Sequence, residues 1–218
     1  MPFTRKNKGA KVVEKPVDNI VYDYILSTYN ANNEFITVTY ADIIDTLRRY
    51  EVLIKAGNYR KNLVSNRDVD NLWKKHFLPS LKPLERGLIP PGVKCLDAGA
   101  GAGLPGIPLK IMRRDLDLTL LEANRKKTLF LRNVREELGL EGVTIIQGRV
   151  EDMEDKFDIV FSRAMGKPEI TVPLLRARVN QGGKVILWTG KGESVDFLGG
   201  SIREIDIEAG GKLVIIEG

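Results

Sequence analysis

A glycine-rich turn between an apolar strand and an apolar helix constrains this chain more than any other stretch. Apolar and small residues at 93–98 predict a buried strand, and an apolar run follows at 104–112. Four glycines fall within eight positions in this region: Gly99, Gly101, Gly103 and Gly106. Because glycine has no Cβ, such a turn can present bare backbone N–H groups to a ligand. A strand, a glycine turn and a helix in this order predict a site for a nucleotide-like ligand.

Composition limits the class of protein. The 218 residues suit one domain with a small appendage, and no apolar run approaches the roughly 18 residues that a membrane span needs. The first residues lack the apolar segment of an export signal, and the single cysteine, Cys95, lies in a predicted core strand. We therefore expect a cytoplasmic protein that has no disulfides and no membrane partner. With one histidine and one cysteine, we expect no metal site.

The positive charge is unevenly placed along the chain. Residues 1–87 hold 15 Lys and Arg against 10 Asp and Glu, whereas residues 88–218 hold 19 against 19. A basic segment beside a neutral one favours an anionic partner such as a nucleic acid. On charge alone, an ordinary solvated surface explains the net charge of +5 equally well.

The chain divides at residues 87–92, where two consecutive prolines stand between glycines. Before this boundary we predict a basic flexible tail over residues 1–16 and a small helical lobe over residues 17–87. Within the lobe, apolar spacing predicts a helix near residues 17–25 and a second helix from a capping box at Thr39 to a stop at Gly57. A third helix is predicted to begin at a cap, Asp68, and to end near Pro79.

Strands and helices alternate in residues 88–218, which is the pattern of a parallel sheet with helical crossovers. The predicted strands are 93–98, 116–122, 143–147, 157–162 and 183–188, and the predicted helices are 107–113, 124–138 and 168–178. Isoleucine-rich segments on either side of Gly210 predict an antiparallel hairpin at the sheet edge. This α/β arrangement, a mostly parallel sheet with a C-terminal antiparallel hairpin, fits the Rossmann-like methyltransferase fold better than the dehydrogenase fold.

Two cofactor classes fit the glycine turn. Gly101, Gly103 and Gly106 satisfy the dinucleotide pattern G-x-G-x-x-G, with Glu122 at the expected distance, so an NAD-type oxidoreductase is one interpretation. Asp97 favours S-adenosylmethionine instead, because an acid before the turn repels a pyrophosphate and attracts the cationic methionyl end. Glu122 is then expected to accept hydrogen bonds from both ribose hydroxyls. A third interpretation is a cofactor-binding RNA module without catalysis.

Short segments spread along the chain carry a more specific signal. They stand in order at 62–63, 76–81, 96–109, 121–127, 130–132, 148–151 and 162–164. Together they resemble the RsmG (glucose-inhibited division protein B) family over residues 39–192, although Val64 and Pro79 stand where that family usually has threonine and aspartate. The resemblance implies a methyltransferase that uses S-adenosylmethionine and acts on guanine N7. Its expected partner is 16S ribosomal RNA in the small subunit or its precursor, and DNA is not expected.

The glycine turn and the resemblance together give the predicted site residues. The predicted cofactor contacts are Asp97, Gly99, Ala100, Gly101, Gly103, Leu104, Glu122, Val150, Glu151 and Arg163. The predicted RNA contacts are Asn62, His76 and Lys126. By resemblance, Val150 and Glu151 flank the adenine, and Arg163 reaches the methionyl end or the target base.

The residues also limit the mechanism. N7 of guanine has a free lone pair, so positioning and desolvation supply the acceleration and no general base is expected. Cys95, in a core strand, is wrongly placed for the thiolate attack that C5-cytosine enzymes need. Arg163 ends the predicted fourth strand, where ligands bind in such folds, and is the predicted catalytic residue. Its alternative role is an ion pair with Asp97 or Glu122, and Trp188 is expected to pack in the core.

Overall fold

The computed structural model describes residues 40–190, 201–207 and 211–218. The predicted basic tail, the predicted helix near residues 17–25 and the capping residue Thr39 lie outside these ranges. No helix in the described ranges is both long and apolar enough to span a membrane.

A seven-stranded sheet forms the centre of the molecule, with the order β3-β2-β1-β4-β5-β7-β6. Its strands are β1 (Lys94–Ala98), β2 (Asp117–Glu122), β3 (Val143–Gln147), β4 (Phe157–Arg163), β5 (Val179–Gly190), β6 (Ile202–Ile207) and β7 (Gly211–Glu217). Strands β1 to β5 pair in parallel, whereas β7 runs antiparallel to both β5 and β6. The mostly parallel sheet and its antiparallel hairpin are therefore confirmed.

The crossover helices lie where the apolar spacing predicts them. They are α3 (Gly106–Met112), α4 (Arg125–Glu137) and α5 (Pro168–Arg176). The side chain of Asn124 accepts hydrogen bonds from the backbone N–H groups of Lys126 and Lys127, so it is the cap of α4. Parallel strands joined by such helices direct their carboxyl ends to one edge, where ligands bind in this fold.

The first described helix, α1 (Tyr40–Lys61), continues past the predicted stop at Gly57. Gly57 serves packing instead, because a Cβ there would lie 2.9 Å from Leu63 Cδ1 and 3.1 Å from the Phe130 ring of α4. The helix ends one turn later at Asn62, which has a left-handed φ of 46° and donates its N–H to the Asn58 carbonyl. The predicted end at Gly57 is therefore wrong.

The next helical segment also differs from its prediction. A 3₁₀ turn (Val69–Asn71) and a π-helical turn (Trp73–Phe77) lead directly into α2 (Leu78–Glu85). Pro79 lies in the first turn of α2, where a missing N–H is tolerated, so the segment does not end there. The side chain of Asp68 makes no capping hydrogen bond, and the predicted cap is wrong as well.

Two hydrophobic clusters pack on the two faces of the sheet. Helices α1 to α4 contribute to one cluster, whose largest side chains include Tyr50, Phe77 and Phe130. Helix α5 contributes Val172 and Leu175 to the other. Residues from before and after position 88 therefore share one core, and the division into a helical lobe (17–87) and a methyltransferase domain (88–218) stays a prediction.

Tyr50 connects α1 to the glycine turn. Its ring is fully buried and stacks on Phe77 at 5.3 Å, and its hydroxyl donates to the Ala102 carbonyl at 2.6 Å. Removing that hydroxyl leaves a buried carbonyl without its partner.

We expect Tyr50→Phe to lower the free energy of unfolding by about 1–3 kcal/mol, because an unpaired buried acceptor carries its full desolvation penalty. Urea titration followed by circular dichroism measures the change. The matched control is Tyr59→Phe, since Tyr59 is 94% exposed and should lose nothing. Equal midpoints for the two variants would contradict the expected role of this hydrogen bond.

Candidate cofactor and substrate site

The glycine turn is held by hydrogen bonds to the end of β2. The N–H groups of Gly99 and Ala100 both donate to the Leu121 carbonyl at 2.9 Å. At Gly103, φ is +94° and a Cβ would lie 2.5 Å from Ile107 Cγ1, so only glycine fits where the turn enters α3. The chain forms a tight turn here because its backbone passes close to both the end of β2 and the start of α3.

Glu122 lies at the end of β2 and is only 8% exposed. Its Oε2 accepts from the Gly101 N–H at 2.8 Å, and its Oε1 accepts from the Asn124 N–H at 2.7 Å. Each carboxylate oxygen has a second lone pair, so both can accept a further hydrogen bond. The carboxylate is thus fixed in orientation and still able to bind a pair of hydroxyl groups.

A cavity of about 550 Å³ opens above the turn. This volume is in the usual range for a small-molecule site. It is lined by eight of the ten predicted cofactor residues: Gly99, Ala100, Gly101, Leu104, Glu122, Val150, Glu151 and Arg163. It is also lined by Ala123, Arg149 and Met165, which the sequence reasoning did not include. These three follow β2, β3 and β4, so their position at the carboxyl ends of the strands was a usable signal.

Four other predicted residues lie outside this cavity. Gly103 packs against the core, Asn62 caps α1, and Lys126 is exposed at the start of α4. Asp97 lies beneath the turn and is fully buried. Direct contacts of these four residues with cofactor or RNA stay predictions.

The buried carboxylate of Asp97 is only partly paired. Its Oδ2 accepts from the Gly106 N–H at 2.8 Å, and its Oδ1 has no hydrogen-bond partner among the described residues. Burial raises the pKa of Asp97 to about 7, and the negative charge of Glu122 adds to this, against the opposing effects of the Gly106 N–H and Arg163. The site therefore holds an acid whose ionisation is costly without a cationic partner.

Arg163 ends β4 and borders the cavity. Its Nη2 donates to the Lys75 carbonyl at 2.7 Å, which joins β4 to the π-helical turn, rather than to Asp97 or Glu122. Its Nη1 is buried and has no partner among the described residues. A buried guanidinium nitrogen without an acceptor is available to a ligand.

His76 lies beside Arg163 and lines the same cavity. Burial, together with the positive charge of Arg163, lowers the pKa of His76 to about 4, although Asp68 opposes this shift. The imidazole is therefore neutral at pH 7. Its Nε2 lies 3.5 Å from Asp68 Oδ2 and has no hydrogen-bond partner within the described part of the chain.

A second cavity, of about 440 Å³, adjoins the first. The two share His76, Arg163, Ala164, Met165 and Thr171. The second is also bordered by Trp188, whose Nε1 donates to the Pro79 carbonyl at 2.8 Å and which is 7% exposed. Trp188 thus packs in the core, as its prediction states. Two adjoining cavities with Arg163 between them are suited to two ligands that react with each other.

We expect Asp97→Asn to stabilise the ligand-free protein at pH 8. The carboxyl pKa is about 7 in the folded chain and about 4 when unfolded, so the stability that this group contributes is fully present below pH 4 and is lost as pH rises to 7. An amide avoids this loss, which is worth roughly 2–4 kcal/mol at pH 8 and nothing near pH 4. Urea titrations at pH 4, 6 and 8 measure the difference.

The control for this series is Asp45→Asn, because Asp45 is exposed on α1. Its difference from wild type should not depend on pH. A wild-type chain that is more stable than Asp97→Asn at pH 8 would contradict the account of the buried carboxylate.

Comparison with known proteins shows the family. The model described as "rRNA small subunit methyltransferase G" (GidB) matches residues 43–201. A ribosomal RNA small subunit methyltransferase G from Moorella thermoacetica is 35% identical over 181 residues, which cover 80% of this chain and 75% of that protein. One from Streptococcus thermophilus is 39% identical over 153 residues, which cover 65% of this chain and 63% of that protein.

Solved structures show the same fold at low sequence identity. A SAM-dependent methyltransferase from Aquifex aeolicus has a TM-score of 0.57 and 14% identity, covering 74% of this chain and 97% of that one. A T. thermophilus 16S rRNA N2 G1207 methyltransferase, solved with AdoMet and guanosine, has a TM-score of 0.54 and 21% identity over 65% of this chain and 42% of that one. These likenesses show the fold, and the family match supports the methyltransferase interpretation over the NAD-type oxidoreductase. The chain belongs to the GidB family of small-subunit rRNA methyltransferases G.

Proposed function

We propose that this chain is an S-adenosylmethionine-dependent methyltransferase that methylates N7 of a guanosine in 16S ribosomal RNA. It acts in the cytoplasm on the small subunit or its precursor. The observation that carries the proposal is that Arg163 borders both cavities and that its Nη1 is buried without a partner among the described residues. Family membership supports the reaction class and the RNA substrate.

The residues of the first cavity fit the cofactor. Glu122 offers two fixed acceptors to ribose hydroxyls, and Leu104 and Val150 offer apolar surface for an adenine. Asp97, beneath the turn, supplies negative charge on the side where a cationic methionyl group is expected. The cofactor supplies an electrophilic methyl group on a positively charged sulfur.

The other residues of the site orient the base, and none of them has to transfer a proton. Because N7 reacts through a free lone pair, its methylation would leave the guanine ring positive and give no residue of this chain a proton to accept. A neutral His76 beside the base adds no positive charge to oppose this methylation. Burial raises the pKa of Cys95 to about 12, which excludes this thiol as a nucleophile at neutral pH.

Basic side chains at the cavities support a polyanionic substrate. Lys127 and Arg149 line the first cavity, and Lys75 lines the second. Arg149 and Lys75 are exposed. Cations in this position neutralise phosphates and hold a strand against the site without reading its sequence.

Mapping of labelled methyl groups tests the proposal. We expect the wild-type chain to place one methyl on guanine N7 of 16S rRNA, supplied either free or in small-subunit particles. Arg163→Ala should lower the rate by about 100-fold or more, since it removes a preorganised donor at the reacting base, and should change S-adenosylhomocysteine affinity less than tenfold. Calorimetry measures the affinity.

The matched control is Arg86→Ala, because Arg86 is exposed after α2 and lines neither cavity. It should methylate at the wild-type rate. If the wild-type chain binds S-adenosylhomocysteine but transfers no methyl group, the proposal of an enzyme is overturned in favour of a non-catalytic RNA module.

Glu122→Ala tests the cofactor site separately. Loss of a charged acceptor for the ribose, and of the bonds that hold Gly101 and Asn124, should weaken S-adenosylhomocysteine binding by about 10- to 100-fold. Calorimetry at pH 7.5 measures this. The control is Glu141→Ala. Glu141 lies just before the amino end of β3, at the end of the sheet opposite the glycine turn, so this variant should bind S-adenosylhomocysteine as wild type does. Unchanged binding by Glu122→Ala would refute the assignment.

A further inference from the structure

The carboxylate of Asp68 does not stabilise the local backbone. It precedes a 3₁₀ turn but makes no capping hydrogen bond. Its side chain is 31% exposed, borders the second cavity and does not border the first. Its near neighbour is His76 Nε2 at 3.5 Å, which is beyond ordinary hydrogen-bond length. A charged acceptor is therefore presented to whatever enters the second cavity.

Three polar side chains of different character border this cavity. Asp68 is an acceptor, Arg163 is a donor whose Nη1 has no partner among the described residues, and His76 is neutral. The negative charges of Asp68 and Asp97 both raise the pKa of the Arg163 guanidinium, although burial lowers it by more. Asp68 is therefore close enough to Arg163 to act on it electrostatically. The other walls include Pro79, Trp188 and Met165, which offer apolar surface to a ring.

This set of groups matches one edge of guanine. Guanine carries an acceptor, O6, next to two donors, N1–H and the 2-amino group, along its Watson–Crick edge. A carboxylate can accept from both donors while a guanidinium donates to O6, and N7 then stays free on the other side of O6. Adenine presents a lone pair at N1, which a carboxylate repels.

We propose that Asp68 selects guanine by accepting hydrogen bonds from N1–H and the 2-amino group of the target base, while Arg163 Nη1 donates to O6. This inference rests on the proposed N7 methylation and deepens it by assigning the residue that recognises the base. Asp68 then also faces the ring that becomes positive as the methyl group arrives. The N1–H becomes a stronger donor at that moment, so the contact strengthens in the transition state and its loss lowers kcat.

The test is a double substitution, one in the protein and one in the RNA. The guanosine identified by methyl mapping is replaced with inosine, which lacks the 2-amino group, in ligated 16S rRNA. Wild type should methylate the guanosine RNA about 10- to 100-fold faster than the inosine RNA. Asp68→Asn should be slower on guanosine by a similar factor and should differ less than threefold between the two RNAs.

A merely structural role for Asp68, such as holding His76, would lower both rates and leave the guanosine-to-inosine ratio at its wild-type value. A wild-type guanosine-to-inosine rate ratio measured for Asp68→Asn would overturn the inference. Asp68→Asn is expected to bind S-adenosylhomocysteine as wild type does, which shows that it is folded. The control Asp70→Asn, exposed on the same turn and outside both cavities, should keep the wild-type rates and ratio.

Failure of the proposed function gives a different result. A wild-type chain that binds S-adenosylhomocysteine but places no methyl on guanosine N7 overturns the function and the inference together. N7 methylation with no preference for guanosine over inosine overturns the inference alone.

Discussion

Two carboxylates at the ends of neighbouring strands hold the glycine turn, and the site is built around that arrangement. Asp97 of β1 accepts the Gly106 N–H, and Glu122 of β2 accepts the Gly101 N–H, both at 2.8 Å. The turn is thereby fixed between them, and Tyr50 secures it from α1 through the Ala102 carbonyl. Glu122 keeps lone pairs for a ligand, so the same group that orders the backbone also lines the first cavity.

The charges of the site are arranged for a reaction that moves a positive charge without moving a proton. The pKa of His76 is lowered to about 4, so the imidazole is neutral at pH 7. Burial raises the pKa of Asp97 to about 7, so ionising this carboxyl in the ligand-free protein is unfavourable. Arg163 borders both cavities; its Nη2 donates to the Lys75 carbonyl, and its Nη1 has no partner in the described part of the chain. Each of these groups is poorly satisfied in the free protein and suited to a ligand.

The positions of the strands along the chain, the α4 cap and the glycine turn were predictable, because apolar runs and Asn124 act over a few residues. Two of the errors depend on packing and cavity contacts that the local sequence does not show. Gly57 was predicted to stop a helix, but Leu63 and Phe130 pack so close to it that glycine is needed inside the helix. Asp68 was predicted to cap a helix, but its carboxylate borders a cavity completed by Trp188. No local sequence pattern predicts that cavity, because its walls come from segments that are far apart in the chain.

The hydrogen bond from Trp188 to the Pro79 carbonyl joins segments 109 positions apart and has an evolutionary consequence. The first cavity is lined largely by residues at the strand ends between β1 and β4. The second cavity requires the segment around Asp68 and Pro79 to meet β5. If Asp68 reads the base as proposed, substitutions in that upstream segment are expected to change base preference more than cofactor affinity. Substrate preference and cofactor binding would then be able to diverge at different rates in chains with this architecture.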